Sequence, residues 1–143
     1  MNIRQMTGLQ IMQAMLAGEL PAPSITQTMP MKAVSVSEGE ITFEAAADER
    51  HLNPMGGVHG GFAATVLDSA TACAVHSALP AGASYATIDL NVKMVRPVPK
   101  NQPVFAVGKL VNLSTSLAIS EARLTDKQGR LLATATASCM VSR

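Results

Sequence analysis

The sequence predicts an α+β fold, a curled antiparallel sheet wrapped around one long central helix with a short helix before it, and three features point there. An apolar stretch free of Gly and Pro runs from Phe62 to Leu79. A hairpin pattern precedes it, and everything after Gly82 reads as strand. Four strands in succession without intervening helices exclude a doubly wound parallel sheet, whose crossovers each need a helix. The 143 residues, 48% of them hydrophobic, suffice for one core, so residues 1–143 are read as a single domain with 1–22 as N-terminal helix and linker.

The elements follow in order. Thr7 and Gln10 have the form of a capping box, and Leu9, Met12, Leu16 and Leu20 continue at helical spacing until Gly18, Pro21 and Pro23 break the pattern. Strands at 32–37 and 40–46 flank a Ser37-Glu38-Gly39 turn, with Ile41, Phe43 and Ala45 alternating against Thr42 and Glu44. A loop rich in Gly and Pro spans 48–57. The apolar segment that follows would form a helix roughly 28 Å long, greasy nearly all round, which other structure must cover. From Ala86 to Met94 the set Ala86, Ile88, Leu90, Val92 and Met94 alternates with Thr87, Asp89, Asn91 and Lys93 until Arg96-Pro97. Strands at 104–111, 117–125 and 131–141 complete what reads as a meander, with a turn at Asp126-Lys127-Gln128-Gly129.

Composition narrows the function. Eleven basic against ten acidic side chains leave a net +1, and no run of Lys or Arg supplies the footprint nucleic acid demands. The stretch from Gly61 to Leu79 is interrupted by Thr65, Asp68, Ser69, Thr71, His76 and Ser77. An ionised Asp at mid-bilayer would cost about 3 kcal/mol, so a buried helix is expected and not a membrane span. Gln5, Thr7, Gln10 and Gln13 punctuate the N-terminus, no secretory signal is read there, and a cytoplasmic location is the expectation. Cys73 and Cys139 are far apart without His at ligand spacing, so no metal site is expected and both read as reduced core cysteines. Nine Met against one Tyr, three Phe and no Trp describe a core of adaptable aliphatic and thioether chains.

One carboxylate stands out. Asp68 on an otherwise apolar helix is costly unless it is paired, placed at an interface or kept for chemistry, because desolvation disfavours the charged form. At the helix start, Gly60-Gly61 brings backbone N–H groups close to a ligand, where the helix dipole favours a developing oxyanion. Gly60 and Asp68 lie eight residues apart, about 12 Å along one helix. Both cannot touch one reacting group, so if both act in a single site, Gly60 comes from one chain and Asp68 from another.

The run Asn53-Pro54-Met55-Gly56-Gly57-Val58-His59-Gly60-Gly61, with Ala63-Ala64-Thr65-Val66-Leu67-Asp68 after it, resembles the signature of phenylacetate-degradation-type thioesterases of the hotdog superfamily. The N-terminal helix, the Thr87-Ile88-Asp89 strand, the Arg96-Pro97 break and the Ala-rich last strand sit in that family's order. The resemblance implies hydrolysis of an acyl-CoA to free acid and CoA, by a homodimer joined edge to edge between sheets and assembled as a dimer of dimers. It implies no cofactor, CoA entering only as part of the substrate. In the implied site, Asn53 and the Gly60 amide polarise the carbonyl, and His59 braces their turn. Asp68 is nucleophile or general base, and Thr87 orients the water or the carboxylate. Met94 and the segment Asn112-Leu113-Ser114-Thr115-Ser116-Leu117 are the implied substrate-binding residues. That segment departs from the family, which places Gly with Arg or Lys there, so phosphate contact falls to Arg96 or Lys100, or the carrier is other than CoA. Two other functions fit the same residues, a hotdog hydratase or dehydratase and a non-catalytic binder of acyl-CoA or fatty acid.

Overall fold

The computed structural model describes all 143 residues. Its elements are α1 (Gly8–Leu16), β1 (Met31–Ser37), β2 (Glu40–Ala45), α2 (Gly60–His76), β3 (Ser84–Met94), β4 (Val104–Leu113), β5 (Leu117–Asp126) and β6 (Leu131–Ser142). A 3-10 turn at Ile3–Gln5 precedes α1, and two more, at Ser24–Gln27 and Glu49–His51, precede β1 and α2. The six strands form one antiparallel sheet in the order β1-β2-β4-β5-β6-β3. It curls around α2, which packs against five of the six strands.

Period-two patterning builds the inner face. Ile41, Phe43 and Ala45 on β2, and Ala118, Ala122 and Leu124 on β5, are buried while their neighbours in sequence are not. Except for Ala118, which packs with Val75 and Leu79, they close on Phe62, Ala63, Val66, Leu67 and Ala70 of α2, which are all but inaccessible to solvent. The helix approaches the sheet most closely where Ala70 crosses Gly108, since a Cβ at Gly108 would overlap the Ala70 carbonyl. A glycine in mid-strand marks that crossing.

The capping box at Thr7 and Gln10 is present in both directions. Gly8 then pins α1 across the end of α2: its N–H donates to the Leu79 carbonyl at 3.0 Å, and a Cβ there would overlap the His76 carbonyl. With Met12 and Ala14 buried, α1 is a docked cover.

Four expectations need correction. The helix ends at His76 and not Leu79: the Ser77 N–H turns back to the Cys73 carbonyl, and Leu79 is apolar because it is buried in the following turn. Apolarity reports burial, which a turn can share with a helix. The four late strands are not one meander. Only β4, β5 and β6 are, while β3 pairs with β6 at the far edge and the connection 95–103, with prolines at 97, 99 and 103, carries the chain across. Strict alternation in β3 also fails, because a bulge between Thr87 and Asp89 shifts the register. Tyr85 and Thr87 face inward before it and Leu90 and Val92 after it, leaving Ile88 55% exposed. Finally, α2 is not covered all round: Ala64, Thr65, Asp68, Ser69, Cys73 and His76 form a half-buried face.

Candidate active site

Asp68 lies on that half-buried face, and β3 supplies its partner. The Thr87 hydroxyl donates to Asp68 Oδ1 at 2.9 Å, with Cys139 Sγ 3.9 Å from the same hydroxyl. One carboxylate oxygen is thereby fixed and Oδ2 has no partner in the chain. The bulge makes this possible, since an unbroken alternation with Ile88 inward would turn Thr87 away from the helix.

The loop before α2 is held by bonds the sequence predicted only in part. Asn53 Oδ1 accepts from the Met55 and Gly57 amides at 2.9 and 3.2 Å, and the Asn53 N–H donates to the Gly57 carbonyl at 2.7 Å. The turn thus anchors the oxygen of Asn53 and leaves its Nδ2 hydrogens free to donate. His59 is the N-cap of α2, Nδ1 accepting from the Gly61 amide at 2.8 Å, which puts the proton of the neutral ring on Nε2. Gly60, first residue of the helix, has an N–H with no acceptor in the chain. Met94 lies over it, 3.2 Å from where a Gly60 Cβ would be.

His51 was missed by sequence reasoning and locks this loop to the body. It is 7% exposed; its Nδ1 accepts from the Asp48 amide, its Nε2 faces the Thr28 carbonyl, and its ring packs on Phe62 at 4.9 Å. Its carbonyl accepts from the His59 N–H at 2.7 Å, tying the loop's far end to its start. The signal in the sequence was Asp48 three residues before His51, the spacing of a capping pair. Asp48 also binds Arg50 through two oxygens, and the Arg50 guanidinium holds its carboxyl far below the usual carboxylate range.

A cavity of about 390 Å³ opens between α1, β1 and α2. Met12, Met15, Leu16, Ile25, Met31 and Phe43 give it an apolar wall. Ser69, Cys73, His76 and Tyr85 line the other side, and Ser69 is the residue after Asp68. Burial first, then the Asp68 carboxylate, pushes the Cys73 thiol up to about 12. Burial chiefly raises Tyr85 as well, with Cys73, Cys139 and Asp68 adding to it, and burial lowers His76. All three side chains are therefore neutral near pH 7, and Cys73 is no nucleophile.

The 112–117 segment forms the β4–β5 turn, closed by the Ser114 N–H on the Leu117 carbonyl and by Asn112 Nδ2 on Ser114 Oγ. It lies toward the C-terminal end of α2, where Leu113, Ala118 and Val141 pack with Val75 and Leu79. Arg143 lies against it, donating to the carbonyls of Thr115 and Ser114 at 3.2 and 3.3 Å. Arg96 likewise donates to a backbone carbonyl, that of Leu131, and Lys100 is paired with Glu49. The structure thus joins Asp68 with Thr87, and Asn53 with the loop that presents Gly60. It leaves Gly60 and Asp68 two turns apart on one helix.

The fold is that of the hotdog proteins, and the chain belongs to the thioesterase superfamily, whose family model matches residues 55–133. Among solved structures, the phenylacetic acid degradation-related protein of Ralstonia eutropha is 32% identical, with a TM-score of 0.82 over 90% of this chain and 98% of that one. Human acyl-coenzyme A thioesterase 13 is 28% identical over 101 residues, 70% of this chain and 71% of the relative. A candidate esterase of Halobacterium salinarum is 38% identical over 90 residues, 59% of this chain and 58% of that protein, so the match spans less than two thirds of its length. No helix is long and apolar enough to cross a membrane.

Proposed function

We propose that this protein hydrolyses acyl-CoA thioesters at a site shared by two copies of the chain. The observation that carries this is the Thr87–Asp68 bond on the one half-open face of an otherwise buried helix. In this reading the thioester carbonyl meets the free Gly60 N–H and Asn53 Nδ2 of one protomer, while the partner's Asp68 faces its carbon. Asp68 Oδ2 either takes a proton from water as the hydroxide adds, or attacks directly to form an anhydride that water then opens. The oxyanion gathers at the Gly60 amide, at the positive end of α2, and its collapse expels the CoA thiolate, which takes up a proton.

Three features support the shared site. About 12 Å of helix separates Gly60 from Asp68, too far for one carbonyl. β3 is an eleven-residue edge strand with no neighbour on its outer side, and it exposes Ile88 and Met94 by 55% and 53%; such an edge is a template for a second strand. Met55, at the tip of the Asn53 loop, is 93% exposed. Exposed Val111, Leu117, Ile119 and Met140 give the outer sheet a surface for pairing dimer on dimer. The cavity under α1 takes the acyl group, and Arg143 beside the 112–117 turn takes a phosphate of CoA.

A thiol-release assay over an acyl-CoA panel tests the reading. Release by the wild type and its loss in a folded Asp68→Asn variant are the expected results; full turnover by that variant overturns the mechanism. Solvent carrying heavy oxygen, in a single turnover, labels Asp68 only if the carboxylate attacks.

A further inference from the structure

The cavity under α1 has two unlike walls, and the polar one has no task in hydrolysis. His76 Nδ1 is buried without a hydrogen-bond partner, an arrangement proteins seldom leave uncompensated. The His76 ring packs on Tyr85 at 4.7 Å, and the Tyr85 hydroxyl sits beside the Cys73 thiol. Ser69 continues the wall toward Asp68. A pocket made only for an alkyl chain would be lined on all sides as it is by Met12, Met15, Met31 and Phe43.

Resting on the thioesterase reading above, we propose that this wall selects acyl chains bearing an uncharged hydrogen-bonding group far from the thioester. The hydroxyl or oxo oxygen of such a chain would sit against the polar edge of the Tyr85–His76 pair, within reach of the Tyr85 hydroxyl. The wall runs along α2 from Ser69 to His76, and eight residues of helix part Asp68 from His76. That span is roughly 12 Å, the extended length of an acyl chain of about ten carbons. The preference for an uncharged group follows from the lining: Lys32, at the mouth, is the only cation and is paired with Glu44. A terminal carboxylate would therefore be desolvated without a counter-ion.

The test compares decanoyl-CoA with its 10-hydroxy and 10-carboxy analogues, by thiol release, for the wild type, Tyr85→Phe and His76→Phe. Calorimetric binding of the corresponding free acids supplies a second readout that needs no turnover. The hydroxylated substrate is expected to have the highest kcat/KM and the carboxylated one the lowest. Either substitution should cut the hydroxy-to-unsubstituted ratio about tenfold, the size of one neutral hydrogen bond. The free acids should rank in the same order. Thiol release with flat ratios in all three proteins overturns this inference and leaves the hydrolase intact. Absence of thiol release from every substrate overturns the hydrolase, and the free-acid ratios then decide the pocket's preference on their own.

Discussion

Removing the Thr87 hydroxyl while keeping its shape isolates what the β3 bulge contributes to Asp68. Thr87→Val exchanges the hydroxyl for a methyl beside Cys139 and breaks the 2.9 Å bond to Asp68 Oδ1. A hydrogen bond to a charged acceptor contributes about 2 kcal/mol, so kcat should fall about thirtyfold if the geometry of Oδ2 depends on it. KM should change little, because Thr87 acts through Asp68 and not on the substrate. Asp68→Asn alone should lose about a thousandfold, the middle of the range for a missing general base. The informative protein is the double variant. If Thr87 matters only by holding Asp68, the double variant is no slower than Asp68→Asn within about threefold, whereas independent effects would multiply to about 3 × 10⁴. Steady-state thiol release with matched thermal melts measures the cycle. A single variant within twofold of wild type, or a double variant at the product of the two losses, refutes the assignment of Thr87 as a positioning residue.

Four further outcomes follow from the geometry. Arg143→Ala should raise KM for acyl-CoA about tenfold and leave KM for the matching acyl-pantetheine unchanged, since only the former carries the phosphates of the nucleotide; equal KM values for wild type and variant on acyl-CoA would remove Arg143 from the site. Burial holds His76 below its ordinary 6.5, so as pH falls from there the unfolded chain takes up the proton first and stability drops toward the folded value. Urea midpoints at about pH 7.5 and about pH 5.5 should show that loss in wild type and a smaller one in His76→Phe. Gly108→Ala drives a methyl into the Ala70 carbonyl and should cost about 3 kcal/mol, read as a lower urea midpoint at unchanged slope. Ile88→Lys, on the free edge of β3, should shift the species seen by gel filtration toward monomer and lower activity with it; an active monomer would contradict a site built from two chains.

The sequence made much of the fold legible because its signals were local. A capping box at Thr7, alternation through Ile41, Phe43 and Ala45, and a long run without Gly or Pro each depend on residues within a few positions of one another. What stayed hidden depends on distant parts of the chain. His51 reads as an unremarkable loop histidine until Thr28 and Phe62 surround it. Arg143 and the 112–117 turn meet only because β6 ends beside the start of β5. The cavity is likewise assembled from α1, β1, α2 and β3, with no motif of its own.

β3 shows how two candidate residues can meet although the pattern around them is read wrongly. Strict alternation would place Ala86 and Ile88 inward with Leu90 and Val92, and would point Thr87 outward. With that register Asp68 would be a carboxylate on a greasy helix with no donor from β3, which is the costly arrangement that first singled it out. One extra residue at the bulge resolves the conflict by keeping Leu90 and Val92 on the core side while turning Thr87 to Asp68. The same shift moves Ile88 to the exposed outer side of an edge strand, where a second copy would cover it. The apparent misfit of an isoleucine in the pattern and the pairing of the carboxylate are thus one structural event: deleting Ile88 should remove the bulge, leave Tyr85, Thr87, Leu90 and Val92 in simple alternation with the Thr87 bond kept, and cost only the apolar edge.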